Sequence, residues 1–356
     1  MTKQKGLALV LVLWVLSLLT IMAGSFALSM RREASITSGI KNNAQALAVA
    51  QSGLAFAEMM LLLPDKTKTW RTDGSIYQIS SHNAQIRVRL LAESGKIDIN
   101  RADEKLLKAL FSNAPVNTNN TRDSVDPVAA ILDWRDNDEL IHLNGAEKKQ
   151  YLSAGLTYTP RNKPLQSLEE LQLILGMDEQ LIDWLEPLIT LNSGQAKPNL
   201  ALAARELLDV LPDLDKELMR HYLQARRDSA QQGLPAPKFP SNGQLVVATK
   251  ADVLANTGDA DKAAAKTDAA RANEDLEEPV NQEAVTVNAV TVIAQAVLID
   301  GSSATIKALL QSGDGSTNSP FTIMQWQRDS ELDPSLFDDS MDDLLISDYG
   351  EPELNN

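Results

Sequence analysis

The chain begins with an apolar run that has no alternation in it. From Leu7 to Met30 there are 24 residues without a charge, thirteen of them Leu, Ile, Val or Phe. That is more than the roughly 20 residues a helix needs to cross hydrocarbon, and those side chains favour insertion by about 4–8 kcal/mol. A secretory signal has a shorter apolar stretch, of about 7–15 residues, before a small-x-small exit site. Ala23, Ser25 and Ala27 offer a weak version of that exit, so ordinary signal cleavage stands as the alternative. Beyond Met30 the pattern changes without a break. Ile36, Ile40, Ala44, Leu47, Ala48, Leu54, Ala55 and Met59 recur every three or four residues, and no proline intervenes before Pro64. This spacing predicts one amphipathic helix continuing out of the apolar one, with a single buried stripe. At about 1.5 Å per residue the two halves together are about 80 Å long.

Period-two patterning appears in two separated places. In "SIYQISSHNAQIRVRLLAESGKIDIN" (75–100) Ile86, Val88 and Leu90 alternate with polar residues, and Ile97 and Ile99 do so again, with Gly95 between them. This predicts two strands joined by a turn at Gly95. In "VTVNAVTVIAQAVLIDGSSATIKALLQ" (285–311) β-branched alternation flanks Asp300–Gly301, a hairpin signal. "FTIMQWQR" (321–328) reads as a last strand. One small antiparallel sheet packed on the N-terminal helix and interrupted by an insertion is the expected α+β arrangement.

The insertion has helical periodicity. "NRADEKLLKALF", "SLEELQLILGMDEQLIDWLEPL" and "NLALAARELLDVLPDLDKELMRHYLQARR" each set a polar residue before a helix, and the last two add a short turn and a second helix. Such pairs resemble SAM-like or helix-hairpin-helix units. A DNA-reading pair needs Gly-rich turn amides and basic neighbours for phosphate. Here residues 161–190 hold six acidic and two basic residues, and the turn "LGMDEQ" has one glycine. Protein contact or a purely structural role is therefore the favoured use.

Charge and composition narrow the chemistry. The formal net charge of −15 argues against non-specific nucleic-acid binding. There is no cysteine, which excludes disulfides, thiolate metal sites and cysteine nucleophiles. Only three histidines, His82, His142 and His221, are present. The chemically richest segment is "AILDWRDNDELIHLNGAEKKQY", where Asp133, Asp136, Asp138, Glu139 and Glu147 fall within fifteen residues. Hard oxygen ligands at this density suit calcium. Asp136, Asp138 and Glu147 occupy positions 1, 3 and 12 of a twelve-residue loop, but Leu140 and Ile141 stand where an EF-hand needs a ligand and a glycine, so the loop is not an EF-hand. The competing reading is a solvated acidic loop that caps helices. Residues 243–282 are rich in Ala, Asp and Lys and read as a linker; residues 329–356 carry ten acids and no base and read as a disordered tail.

A short basic leader ending in Gly6, an apolar half-helix and an amphipathic second half together resemble a type IV pilin-like N-terminus. The resemblance implies that a prepilin peptidase cuts between Gly6 and Leu7 on the cytoplasmic side and that Leu7 becomes N-methylated. Lys3 and Lys5 against Arg31, Arg32 and Glu33 favour a cytoplasmic N-terminus, with the rest in the periplasm. Pilin-like subunits usually carry Glu as the fifth mature residue, which here is Leu11. A carboxylate in lipid costs a few kcal/mol and is tolerated where it pairs with a neighbouring subunit's amine. A subunit without it fits at a filament end.

The order of "KGLALVLVLWVLSLLT", "ESGKIDINRADEKLL", "ILDWRDNDELIHLNGAEKKQY", "SLEELQLILGMDEQLIDWLEPLIT" and "PFTIMQWQR" resembles the general secretion pathway protein K family, the large minor pseudopilins of type II secretion. The resemblance covers most of the chain except residues 243–282 and the acidic tail. It implies a pilin-like fold with an inserted all-α domain: leader 1–6, helix 7–63, first sheet part 64–100, α-domain 101–240, linker 241–282, second sheet part 283–328 and tail 329–356. It implies a ternary tip complex with other minor pseudopilins, contacts with the major pseudopilin, the inner-membrane assembly platform and the prepilin peptidase, and export of folded proteins through the outer-membrane secretin. It implies no catalysis, and calcium in the α-domain, for which Asp133, Asp136, Asp138 and Glu147 are the candidate ligands. Two other classes stay open: a membrane-anchored DNA-uptake protein using its helical hairpins, and a periplasmic hydrolase with paired carboxylates at Asp133 and Asp136.

Overall fold

The computed structural model describes residues 7–65, 68–115, 125–240, 289–313, 319–328 and 335–350. Gly6 and the linker 241–282 lie outside the described residues. The N-terminal half-apolar, half-amphipathic segment is one helix, α1 (Leu7–Leu61), ended just before Pro64. It is long and apolar enough to cross a membrane by length and composition. Its apolar half, including Trp14 and Phe26, is exposed.

Of the stripe expected from the spacing, Leu54 is buried and Leu47 half-buried, while Ala44, Ala48 and Ala55 are exposed. Ala46, Ala50, Leu54, Ala57 and Met60 are buried, while Ile36, Ile40 and Met59 are exposed. Small residues win because the helix lies close on the sheet: a Cβ at Gly53 would sit 2.7 Å from Cγ2 of Ile86. The helix packs on Val88, Leu90, Val292, Ala294, Ile306 and Ala308, which project from one face of the sheet. Leu54 alone contributes about 1.5–3 kcal/mol by leaving water.

The sheet has six strands in the order β7-β6-β5-β2-β1-β8. These are β1 (Asp73–Ser81), β2 (Ala84–Ala92), β5 (Ala289–Leu298), β6 (Ser303–Ser312), β7 (Phe321–Arg328) and β8 (Leu345–Gly350). All neighbours are antiparallel except β1 and β8, so the sheet is mixed. The Asp300–Gly301 hairpin forms as its sequence predicts, with Gly301 at φ +84°. The turn at Gly95 does not. The first hairpin closes at His82–Asn83 between β1 and β2, and Gly95 falls in a 3-10 turn. Ile97 belongs to β3 (Ile97–Asp98), which pairs in parallel with β4 (Ile189–Thr190) at the root of the helical insertion.

Part of the acidic tail is ordered, against its composition. Residues 339–344 form a 3-10 turn and β8 adds an edge strand. Leu336 and Met341 bury against Ile76, Leu91 and Ile293 on the sheet face opposite α1. Arg87 holds this segment by donating to the Leu336 carbonyl (2.7 Å), pairing with Asp342 (2.8 Å) and lying over the Phe337 ring. The buried Leu336 and Met341, together with Arg87 on Asp342 and Arg205 and Arg227 on Asp343, outweigh the mutual repulsion of the acids.

The insertion contains α2 (Glu104–Phe111), α3 (Pro127–Arg135), α4 (Lys148–Ser153), α5 (Glu179–Leu185), α6 (Arg205–Val210) and α7 (Lys216–Gln231) around its own core of Leu107, Ile131, Trp134, Tyr151, Leu185 and Tyr222. Four aspartates that precede helices are N-caps: Asp103, Asp126, Asp178 and Asp215 each accept from a first-turn amide at 2.7–3.0 Å, whereas Ser167 makes no such bond and α6 follows Ala204. Each such cap is worth about 1 kcal/mol. The first half of the middle helical pair, Leu168–Leu173, is a 3-10 turn and not an α-helix.

Candidate metal centre

Helix α3 starts at the Asp126 cap with Pro127 in its first turn and stops at Asp136, whose backbone turns extended. The last turn of the helix aims Asp133 inward, where it is fully buried. The chain then folds back over that carboxylate. Asp138 Oδ1 accepts from the Leu140 amide (2.8 Å), and the Asp138 carbonyl accepts from Asn162 Nδ2 (2.6 Å). The His142 amide donates to Asp133 Oδ1 (3.0 Å), and His142 Nδ1 makes a short contact with the same oxygen. Asn144 takes a left-handed φ of 61°, and its carbonyl accepts from the Asp126 amide (2.7 Å). Gly145 follows, where a Cβ would lie 2.0 Å from Asp133 Oδ2. Only a residue without a side chain lets the backbone come so close to that oxygen. Glu147 caps α4, its backbone amide donating to Gln150 Oε1 at 3.2 Å.

Three carboxylates therefore converge beneath this loop. Asp133 Oδ2 and Asp136 Oδ1 are buried without a hydrogen-bond partner, and the buried Glu147 carboxylate faces the first-turn amides of α4. A buried, unpartnered carboxylate oxygen is costly, and the titration behaviour reflects it. Burial, followed by the charges of Asp133 and Asp136, pushes the Glu147 carboxyl up to about 7. Burial also raises Asp136, with Asp138 and Asp133 adding to the effect. The hydrogen bond to Asp133 raises His142. Next to the cluster Trp134, Tyr151 and Tyr158 pack in tilted and edge-on pairs, with 5.7–5.9 Å between ring centres. Leu140, Ile141 and Leu143 point from the outer side of the loop into solvent.

Of the sequence candidates, Asp133, Asp136 and Glu147 are brought together, and Asp138 is not. Asp138 is exposed, and its carboxylate is used to shape the turn at Leu140. His142, absent from the candidate ligands, stands at the centre: ligand atoms from Asp133, Asp136 and His142 lie within 4.8 Å of one another. Nothing in the spacing marks it. An imidazole nine residues after an aspartate becomes its neighbour only because the loop doubles back. The donor set fits a divalent cation, since orphaned carboxylate oxygens in a protein interior are what such an ion satisfies.

Leu11 lies on α1 with its side chain 61% exposed, in the apolar half of the helix. The middle helical pair is packed into the fold at its turn and at its second helix. A Cβ at its turn residue Gly176 would meet the Val125 carbonyl at 2.8 Å, and Glu186 is paired with Lys307 of β6 at 2.9 Å. The paired carboxylates of the hydrolase alternative lie under the 138–145 loop, with Asp133 inaccessible.

The architecture defines an α+β subunit with one long apolar N-terminal helix and a helical insertion in its sheet. Residues 84–194, which run from β2 through the candidate metal centre to β4, match the family model for type II secretion system protein K. The resemblance read from the sequence motifs and the family-model match coincide in this segment. Type II secretion system protein K of Klebsiella pneumoniae is 28% identical over 204 residues, covering 52% of this chain and 62% of that protein's length. The matched region thus spans less than two thirds of that relative. A solved structure described as the GspK-GspI-GspJ complex from the type 2 secretion system of enterotoxigenic Escherichia coli has a chain with a TM-score of 0.46 and 17% identity, covering 83% of this chain and 99% of that one.

Proposed function

We propose that this chain is a minor pseudopilin that caps the tip of the type II secretion pseudopilus. In this reading α1 is a single-pass anchor in the inner membrane, with the N-terminus cytoplasmic and the sheet and α-domain periplasmic. The subunit joins other minor pseudopilins in a tip complex, starts growth of the major pseudopilin on the assembly platform, and helps folded proteins leave through the secretin. Its role is structural and not catalytic. The observation that carries this reading is the protein K domain at residues 84–194 joined directly to α1 through the sheet. Leu11 adds to it, because the apolar half of α1 has no carboxylate there to receive the amine of a subunit beyond.

In the same reading the α-domain binds calcium through Asp133, Asp136 and Glu147. Calcium would neutralise the mutual repulsion of the three carboxylates and supply the partner that the buried Asp133 and Asp136 oxygens lack. The ion pins the loop that carries Leu140, Ile141 and Leu143, so it stabilises the fold and performs no chemistry. Co-expression of the full chain with the other minor pseudopilins of its operon, followed by detergent extraction and purification by a tag on this chain, tests the assembly role. Stoichiometric co-purification supports it; recovery of this chain alone would remove it.

A further inference from the structure

We propose that the outer edge of β7 is a docking site for an extended, uncharged strand of another polypeptide, which adds to the sheet beside β7 and lays alternate side chains into the cleft under the α-domain. The sheet order leaves β7 at one end, and no strand among the described residues pairs with its outer side. Proteins commonly guard such an edge with charge. The opposite edge is guarded in that way, because β8 carries Asp348 and follows Asp338, Asp339, Asp342 and Asp343. In β7, residues 321–327 hold no charge, glycine or proline, a composition suited to strand addition. Ile323 is 48% exposed, Met324 57% and Trp326 37%, so apolar surface is open to solvent along this edge.

Register decides which way these side chains face. Ile323 and Trp326 pair with Leu310 and Ala308, which pack against α1, whereas Gln325 and Gln327 pair with Leu309 and Lys307 on the other face. Met324 is the extra residue of a bulge between Ile323 and Gln325. It turns into a cleft of about 670 Å³ between the sheet and the Leu168–Leu173 turn with α5. Amides line this cleft, from Gln166, Gln172, Asn192, Gln325 and Gln327. Its inner charges are already paired, Glu93 with Lys96 at 2.8 Å and Glu186 with Lys307 at 2.9 Å. Amides beside a free strand edge complement peptide groups and uncharged side chains, which selects an extended chain over an ion. A second copy of this protein is the less suited occupant, because a formal charge of −15 on each opposes their approach.

The probe is a short, end-blocked, fluorescent peptide alternating Thr and Val, its anisotropy followed with the full chain in detergent. A matched peptide N-methylated on alternate amides keeps every side chain and loses the donors of one edge. The expected result is saturable binding of the plain peptide, weakened at least about tenfold by N-methylation, by Met324→Lys and by Ile323→Lys, since each change opposes pairing at an exposed edge. Both variants should keep the melting temperature of the unaltered chain, and the N-methylated peptide tests the idea even if they do not. Binding that ignores N-methylation would overturn the inference in favour of apolar contact without strand pairing. Binding that appears only after deletion of residues 241–282 would overturn it by giving the edge to this chain's own linker. A dimer in sedimentation that Met324→Lys dissociates would overturn it in favour of a second copy, and no binding in any form would remove it.

Discussion

Arg226 and Asp73 lie 153 residues apart in the chain and meet with both side chains buried, Arg226 Nε 3.0 Å and Nη2 2.9 Å from Asp73 Oδ2. The pair bolts the last helix of the α-domain to the first strand of the sheet. Arg226 also donates to the Ala203 carbonyl (2.8 Å), and Arg71 reaches across to the Arg226 and Leu234 carbonyls (2.7 and 2.6 Å). Arg89 with Glu206 (2.8 Å), and Glu93 with Thr291 (2.7 Å), add further polar ties along the same seam. The insertion is thus held on the sheet by buried charge and hydrogen bonds more than by shared apolar core.

Removing one partner should therefore be costly. Arg226→Ala is expected to lower stability by about 3–5 kcal/mol, because it leaves the Asp73 charge buried and unpaired. Arg226→Met combined with Asp73→Asn should cost clearly less. Burial alone would raise the Asp73 carboxyl, but Arg226, Ser75 and Arg71 hold it below the usual carboxylate range. A depressed carboxyl contributes stability above its unfolded value of about 3.9 that is lost as pH falls through the lower folded value. Acid unfolding below about pH 4 should accordingly be flatter in the paired variant than in the unaltered chain, as followed by circular dichroism.

Calcium should raise the melting temperature of the full chain relative to chelator. Binding to the folded state alone adds about 2.7 kcal/mol at a hundredfold excess over Kd. Asp136→Ala should abolish the shift, whereas Asp138→Ala should keep it, because the exposed Asp138 carboxylate is spent on the Leu140 amide. Glu147→Gln should leave the chelated protein as stable or more so, since it removes a charge from a repulsive group, and should blunt the calcium response. Equal effects of the Asp136 and Asp138 changes in calorimetry would contradict the geometry.

Processing is expected between Gly6 and Leu7. N-terminal sequencing of protein from cells with the prepilin peptidase should begin at N-methylated Leu7, and protein from cells without it should keep the leader. Gly6→Val should block the cut. A mature end near Ser29 would instead mean ordinary signal cleavage.

Much of this architecture is legible in the sequence wherever local chemistry and tertiary demand agree. The unbroken helix to Pro64, the Asp300–Gly301 hairpin, and the aspartate caps at 103, 126, 178 and 215 are of that kind. The misreadings occur where distant chain segments decide. Gly95 resembles a turn between strands, but β3 is drawn off to pair with β4, some ninety residues later. The α1 stripe is set by the face that meets the sheet at Gly53, so Ala44, Ala48 and Ala55, expected from the spacing, stay exposed. The tail orders because Arg87 and an apolar face of β1, β2 and β5 await it. At the candidate site, clustered acids mark the segment, while the loop reversal that selects Glu147 and His142 over Asp138 has no local signature.

Leu11 gives a prediction separate from the fold. If no subunit stacks beyond this one, Leu11→Glu should leave secretion nearly unchanged while costing up to about 3 kcal/mol in membrane insertion. Secretion of a reporter substrate, compared at matched levels of membrane-inserted protein, checks this. A marked gain or loss of secretion at equal insertion would place a neighbour above it.

The central claim is position at the tip, and the α-domain offers a direct marker for it. On this account an insertion spanning residues 101–240 on a pilin-sized sheet should be too wide to repeat along a thin filament. Isolated pseudopili labelled with a gold-conjugated antibody to the α-domain should show one site per filament, at one end. Labels spaced along the shaft would contradict the account and make this chain an ordinary shaft subunit.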